Sequence, residues 1–358
     1  MNSEGSFIGL APQIEKGTPN VADGDYTYLL LLRSGLSPQN LTLPLDQEVG
    51  GGAFLRSVVK AGVTGGGAIQ FIPRPQSIGH FLMAYFGDVD QEAVGTAEKH
   101  IFSFGEGEFW APYYTLRSAP GGMVGEVFPD SRLATLSFEF MARDFVRANA
   151  AWLGGLDDNI STANWDPDEK IDTGPQFLTA LSHIEVPDGT LMKVLRGSVA
   201  FQSVIPLDEQ WIVGSYTPDD FGITARAVVL DLTVKIDDDG DFYKKVMYDP
   251  NNASESLAEW TATVLREGDI DISLVSDEIA GEDGVEDVPH QINIRANGES
   301  GQEGNVAFAA EPIDIIPGRQ LTLNLSGTFL ADSGPEPSPV EVDLINDYSA
   351  GYATPTSP

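Results

Sequence analysis

Apolar and polar residues alternate along much of the chain, and a two-residue period is typical of β-strands that bury one face. The pattern is clearest in the segments Leu133 to Phe140, Val228 to Ile236 and Gln320 to Ser326. Their apolar faces consist of Leu136, Phe138 and Phe140, of Leu230, Leu232 and Val234, and of Leu321, Leu323 and Leu325. The alternation predicts a mainly β protein.

Helical patterns are rare, and only two segments indicate short helices. Ile78 to Phe86 and Asp241 to Tyr248 are each long enough for about two turns. Asp239 and Asp241 supply a cap and a first-turn charge for the second helix. Each half of the chain is therefore expected to carry one short helix.

Similar pieces occur in the same order in both halves. Tyr114 to Arg117 has a counterpart in Ile292 to Arg295, and Arg132 to Phe138 has one in Arg319 to Leu325. Each match ends in a strongly alternating strand, which favours an internal duplication. The identities are sparse, and two unrelated β-rich domains are the alternative.

These observations predict two domains joined by a linker. The first domain covers residues 1–156, the linker residues 157–176 and the acidic second domain residues 177–348. The linker is polar, contains turn residues and lacks periodicity. Residues 349–358 also lack apolar periodicity and are expected to form a mobile or partner-bound C-terminal tail.

Composition narrows the possible functions. The 358 residues carry a formal charge of −34, which gives no electrostatic basis for tight binding to DNA or to anionic lipid. There is no cysteine, so disulfides and thiol chemistry are excluded. The apolar stretch Tyr28 to Leu32 is far too short to span a membrane, and no membrane partner is expected.

The sequence contains no recognisable catalytic or cofactor motif. The histidines are isolated at His80, His100, His183 and His290, without the spacing of a zinc site. The run Asp237 to Asp241 offers oxygen ligands for calcium but departs from the EF-hand loop, so a capped strand-to-helix turn is favoured. We therefore expect neither enzymatic activity nor a bound metal or cofactor.

Four segments together resemble a known protein family. They are Gly5 to Pro19, Gly65 to Gly87, His100 to Phe104 and Leu133 to Gly155. In order and spacing they resemble the tail tube, or major tail, proteins of long-tailed bacteriophages. The resemblance covers residues 1–156 well and 177–348 more loosely. It implies β-sandwich or half-barrel tube domains, each with a short flanking helix.

The resemblance also implies a structural virion protein that self-assembles into stacked rings around a channel for DNA. Many family members have one tube domain, so two in this chain imply a trimeric, pseudo-hexameric ring. A hexameric ring with one tube domain and one outer domain per chain is the alternative. The implied partners are further copies of the chain, a tape measure protein and passing DNA, in a tail assembled in the host cytoplasm.

Polar faces of the alternating strands are candidates for the channel lining. Gln70, Glu139, Asp231 and Asn324 represent four such faces. A neutral-to-acidic wall would let DNA slide, because Lys or Arg would bind the phosphates with counterion release. Lys235 shares a predicted face with Asp231, and an ordinary solvent-facing sandwich surface is the alternative for each position.

A turn-rich segment is the candidate contact between stacked rings. Residues Arg33 to Ala53 contain the alternating Leu41, Leu43 and Leu45 and end near three glycines. The segment could form an arm that reaches into a neighbouring ring. A long hairpin packed on its own domain is the alternative.

The acidic, β-rich composition is also compatible with a second functional class. The chain could be an extracellular β-sandwich module that binds carbohydrate or calcium. Aromatic platforms on strands would support that function, but the five tryptophans follow no common pattern.

Overall fold

The architecture comes from a computed structural model. It describes residues 6–44, 57–104, 111–122, 124–157, 165, 171–186, 190–236, 266–268, 270–282, 287–296, 306–310, 321–331, 338–349 and 351–352. These residues form twenty β-strands, three short 3₁₀ turns and one α-helix. The predicted mainly β class is therefore confirmed.

Ten strands and the helix precede residue 157. The strands are β1 Phe7–Pro12, β2 Thr27–Leu29, β3 Leu31–Ser34, β4 Ser37–Pro44, β5 Val58–Phe71, β6 Gly87–Val94, β7 Ala97–Phe104, β8 Tyr114–Ala119, β9 Glu126–Met141 and β10 Arg147–Gly154. Helix α1, Ser77–Phe86, lies between β5 and β6 and confirms the first predicted helix.

Ten further strands follow residue 176. They are β11 Phe177–Val186, β12 Thr190–Leu191, β13 Val194–Val204, β14 Ala225–Lys235, β15 Arg266–Gly268, β16 Asp271–Glu282, β17 Asp287–Ala296, β18 Val306–Ala310, β19 Thr322–Phe329 and β20 Val340–Asn346. The second predicted helix, Asp241 to Tyr248, lies outside the described residues, as does the run Asp237 to Asp241.

The strands form two antiparallel sheets in a sandwich-like arrangement. The wide sheet has thirteen strands, and its main path runs β15-β18-β19-β14-β13-β9-β10-β5-β3. Strands β4, β8, β1 and β2 attach to this path at β5 and β9. The second sheet has seven strands in the order β12-β11-β16-β17-β20-β7-β6.

Both sheets combine strands from the two sides of the predicted linker. In the wide sheet, β9 pairs with β13, and in the second sheet β7 pairs with β20. At the second junction the buried carboxylate of Asp343 contacts Arg295, and its Oδ2 lies 3.3 Å from Lys99 Nζ. The segments predicted as separate domains thus share both sheets, because pairing their edges satisfies backbone groups that separate sheets would leave open.

The hydrophobic core is also continuous across the chain. All ten residues of α1 are buried, and the helix packs against β9 of the wide sheet and β6 and β7 of the second sheet. The ring of Phe81 lies 4.7 Å from that of Phe71, and Tyr85 lies 5.3 Å from Phe201 of the other half. A helix that is apolar all round is expected when both sides are covered.

The predicted alternation matches the observed burial with one exception. The apolar faces of β9 and β14 are buried, as are Leu323 and Leu325 of β19. Leu321 is 40% exposed because it precedes the first paired residue of β19.

Candidate functional site

The four predicted channel-lining residues lie on one face of the wide sheet, which we call the open face. Glu139, Asp231 and Asn324 are exposed, and Gln70 is half-buried. The alternating strand geometry places them opposite the core-facing residues. Their common face is established by the register, which continues from β5 through β10, β9, β13 and β14 to β19.

Over the seven strands from β5 to β18, two adjacent rows of the open face carry no charged side chain. One row crosses these seven strands and consists of Gln70, Asn149, Ser137, Ala200, Val229, Thr328 and Ala307. At the two borders of the sheet this row continues to Arg33 on β3 and to Glu267 on β15. The next consists of Ala68, Ala151, Thr135, Gln202 and Ala227. In a chain with a formal charge of −34, these two rows consist of uncharged side chains, most of them small or polar.

Between β5 and β18, the charges on the open face occur towards one end of the strands. One row contains Arg147, Glu139, Ser198, Asp231 and Ser326, and the next contains Met141, Arg196, Thr233 and Asn324. They border a cavity of about 580 Å³. This end has mixed charge, since Arg147, Arg196 and Lys235, which lies in the following row opposite Thr322, accompany the two carboxylates.

Hydrogen bonds across the strands hold these polar side chains in place. Asn149 Nδ2 donates to Glu139 Oε1 over 2.8 Å, and Thr233 Oγ1 donates to Asn324 Oδ1 over 3.0 Å. Arg196 Nε donates to the same threonine oxygen over 3.2 Å. The geometry resembles a fixed polar surface rather than a set of groups that converge on one bound molecule.

Arg147 and Arg196 were not among the predicted site residues. The signal for Arg147 was present, because Ala148, Ala150 and Trp152 alternate in the sequence and are all buried. Short apolar side chains make this period weak. Recognising it would have placed Arg147 and Asn149 on the same face as Glu139.

The described part of the predicted arm includes β4, which pairs antiparallel with the first part of β5, and we call this pair the hairpin. Leu41 and Leu43 are 44% and 59% exposed, and Val58 and Val59 on the facing strand are 52% and 55% exposed. These described residues do not pack on the chain's own core. Leu45, the third predicted arm residue, lies outside the described residues.

The base of the hairpin is held by the second half of the chain. Val63 N donates to Tyr216 O over 2.8 Å. The Trp211 ring lies where a side chain at Gly62 would project, so only glycine permits this contact. A fixed base and exposed distal residues are features of a projecting contact element.

A second cluster of polar and aromatic residues surrounds Tyr352, which the sequence assigned to a mobile or partner-bound tail. Tyr352 is instead buried on its own chain, with its ring 5.2 Å from His80 and 4.9 Å from His100. Its hydroxyl donates to Gln76 O over 2.9 Å and accepts from Asn346 Nδ2 over 3.0 Å. A buried aromatic ring with a satisfied hydroxyl anchors this part of the segment.

The predicted linker also contributes to this cluster. Asp172 is buried, and its Oδ2 accepts a hydrogen bond of 2.7 Å from Ser77 N at the start of α1. A carboxylate at a helix N-terminus satisfies an otherwise unpaired donor and interacts well with the helix dipole. The end of the linker is therefore anchored to the first half of the chain.

Burial lowers the histidine pKa values in this cluster. The pKa of His80 falls from 6.5 to about 4 through desolvation, opposed in part by the negative charge of Asp172. Desolvation also lowers the pKa of His100, and the hydrogen bond to Asn346 opposes it. Both rings are therefore neutral near neutral pH.

We expect acid to destabilise the protein through His80. The unfolded side chain binds a proton more readily than the buried one. The contribution of neutral His80 to the free energy of unfolding is therefore complete above about pH 6.5 and is lost as pH falls towards about 4. At roughly 1.4 kcal/mol per pH unit, the full contribution is roughly 3 kcal/mol. Urea unfolding at about pH 7 and about pH 4.5 should show a smaller pH-dependent loss for His80→Gln than for the parent chain. His183→Gln, at an exposed histidine, is the matched control; equal losses in all three chains would contradict the assignment.

The described residues offer no alternative site of a familiar kind. They contain no cluster of His, Asp and Glu side chains that could hold a metal ion. No helix among them is long and apolar enough to cross a membrane. Comparison with protein-family models and with curated proteins found no match to this chain.

Proposed function

We propose that this chain is a structural, non-enzymatic subunit that assembles into stacked rings and forms the hollow tail tube of a bacteriophage. The observation that carries the proposal is the open face of the wide sheet. It extends across strands from both halves of the chain, and two of its rows between β5 and β18 consist of uncharged side chains, most of them small or polar. Such a surface suits the wall of a channel through which a polyanion passes.

The electrostatics of the open face favour passage of DNA over binding. Each phosphate neutralised by Lys or Arg adds affinity through counterion release, which must be reversed at every step of movement. On the open face, Glu139 and Asp231 lie in the same row as Arg147, and the row of Arg196 is the next one. Carboxylates so close to the arginines reduce the attraction for phosphates.

Sheet edges provide the means of closing a ring. Among the described strands, β6 pairs only with β7 and β12 pairs only with β11, at the two borders of the second sheet. Strand edges carry unpaired backbone groups and favour pairing with another chain, and a closed ring satisfies them symmetrically. Because strands from both halves line one sheet, we favour three copies per ring over six.

Electron microscopy of the purified full-length protein tests the proposal. We expect hollow rods or rings, with an inner wall that corresponds to the open face. Their absence at all protein and salt concentrations, with only compact monomers observed, would contradict a tube function. The same images measure the symmetry of any ring and so decide between three and six copies.

A further inference from the structure

Five exposed apolar side chains belong to segments that meet around one cavity, namely the end of β9 with the turn after it, β11, and residues 190–196. We call them the end patch: Met141 is 54% exposed, Phe145 39%, Leu181 47%, Leu191 61% and Leu195 37%. The turn between β9 and β10 joins this region, since Ala142 N donates to Leu195 O over 2.9 Å. A cavity of about 260 Å³, lined in part by Met141, Met192 and Leu195, adjoins the patch.

The end patch and the β4–β5 hairpin lie at opposite ends of the same strands. Strand β10 pairs with β5 from Ala148 and Phe71, next to the β9–β10 turn, to Gly154 and Gly65 at the far end. Residues Val58 to Thr64 of β5 continue past that last pair. At about 3.3 Å per residue they extend roughly 23 Å beyond β10, away from the end patch.

The charges near the two ends are complementary. The loop 205–224, which contacts the hairpin base, carries Asp208, Glu209, Asp219 and Asp220. The basic residues described at this end are Lys60 on the hairpin and Lys16, whose Nζ lies 3.8 Å from Asp219 Oδ2. The segments that hold the end patch, 141–147, 181–186 and 190–196, carry the basic residues Arg143, Arg147, Lys193 and Arg196 against Asp144 and Glu185. An acidic end therefore faces a basic end when two copies are aligned head to tail.

We propose that the end patch receives the β4–β5 hairpin of a second copy of this chain. The contact joins two different surfaces and leaves one of each free, so it repeats along an axis instead of closing on itself. Exposed apolar groups at both ends would be removed from water, and the repulsion expected between copies of charge −34 would be least there. This inference rests on the proposed tube function and identifies the surface to which its arm binds.

The absence of cysteine from the chain permits a clean cross-linking test. Two full-length variants, Leu43→Cys in the hairpin and Leu181→Cys in the end patch, are mixed, allowed to assemble and treated with an oxidant or a flexible bis-maleimide. We expect covalent dimers in the mixture and a ladder of longer products when one chain carries both substitutions. The control mixture combines Leu43→Cys with Ser326→Cys on the open face.

The outcomes separate this inference from the proposed function. Dimers in the Leu43→Cys and Leu181→Cys mixture, with few in the control mixture, support the end patch as the acceptor. Equal cross-linking in both mixtures, or hollow rods in the microscope without specific cross-links, would overturn the acceptor while leaving the tube function standing. Compact monomers in the microscope without cross-links would overturn both.

Discussion

A chain that carries Leu41→Asp and Leu43→Asp is expected to remain folded and to lose assembly into rods. Both side chains are exposed in the single chain, so we expect its free energy of unfolding to change by no more than about 0.5 kcal/mol for each substitution. In an apolar contact, a carboxylate would lose hydration at a cost on the order of several kcal/mol. At about 1.4 kcal/mol per tenfold change in affinity, even a few kcal/mol would weaken each contact more than a hundredfold.

Light scattering and electron microscopy measure the loss of assembly, and urea unfolding measures whether the subunit is intact. A matched control replaces two apolar residues outside the hairpin that are also exposed, Ile14→Asp and Val21→Asp, which add the same charge. Loss of rods in the hairpin variant alone supports the hairpin as the contact. Normal rods from the hairpin variant would exclude it.

A Gly79→Ala substitution in α1 is expected to cause a large loss of stability. A Cβ atom at position 79 would overlap the ring of Tyr352, which is buried against the helix. The ring would have to leave its site, with the loss of its packing and of the hydrogen bond from Asn346. Removal of a large buried aromatic side chain typically costs about 3–5 kcal/mol, and we expect a loss of that order.

The same substitution should have the opposite sign when Tyr352 is absent. In a Tyr352→Ala chain the overlapping ring atoms are gone, and alanine is favoured over glycine in a helix by roughly 0.5–1 kcal/mol. Urea unfolding of the parent, both single variants and the double variant forms a complete cycle. A Gly79→Ala effect that is equally destabilising in both backgrounds would show that the strain arises elsewhere in α1.

The periodic strands and the buried helix could be predicted from the sequence because local geometry determines them. In a strand, successive side chains point to opposite faces, so the alternation around Glu139, Asp231 and Asn324 was sufficient to identify their exposed sides. Helix α1 was recognisable as a dense apolar segment between turn residues. The pattern left two alternatives for the hairpin leucines, exposure on a projecting arm or packing on their own domain. The period alone does not show what covers a face.

Other features depended on contacts between residues distant in the chain. No local pattern indicated that Asp172 would accept a hydrogen bond from α1, or that Tyr352 would fill the space above Gly79. Both lie in polar segments without periodicity, where no local pattern marks the anchoring residue. Where Asp172 and Tyr352 bind depends on the surface that they contact, and not on the sequence of their own segments.

The sequence by itself determined the mainly β class, the first helix and the side on which each predicted open-face residue projects, because backbone geometry over a few residues is sufficient for these. Only the tertiary structure decided that β9 pairs with β13 and β7 with β20, so that both sheets run through the whole chain. It also decided that the apolar hairpin and the end patch occupy opposite ends. Strand order and register arise from hydrogen bonds and packing between distant segments, which a one-dimensional pattern does not specify.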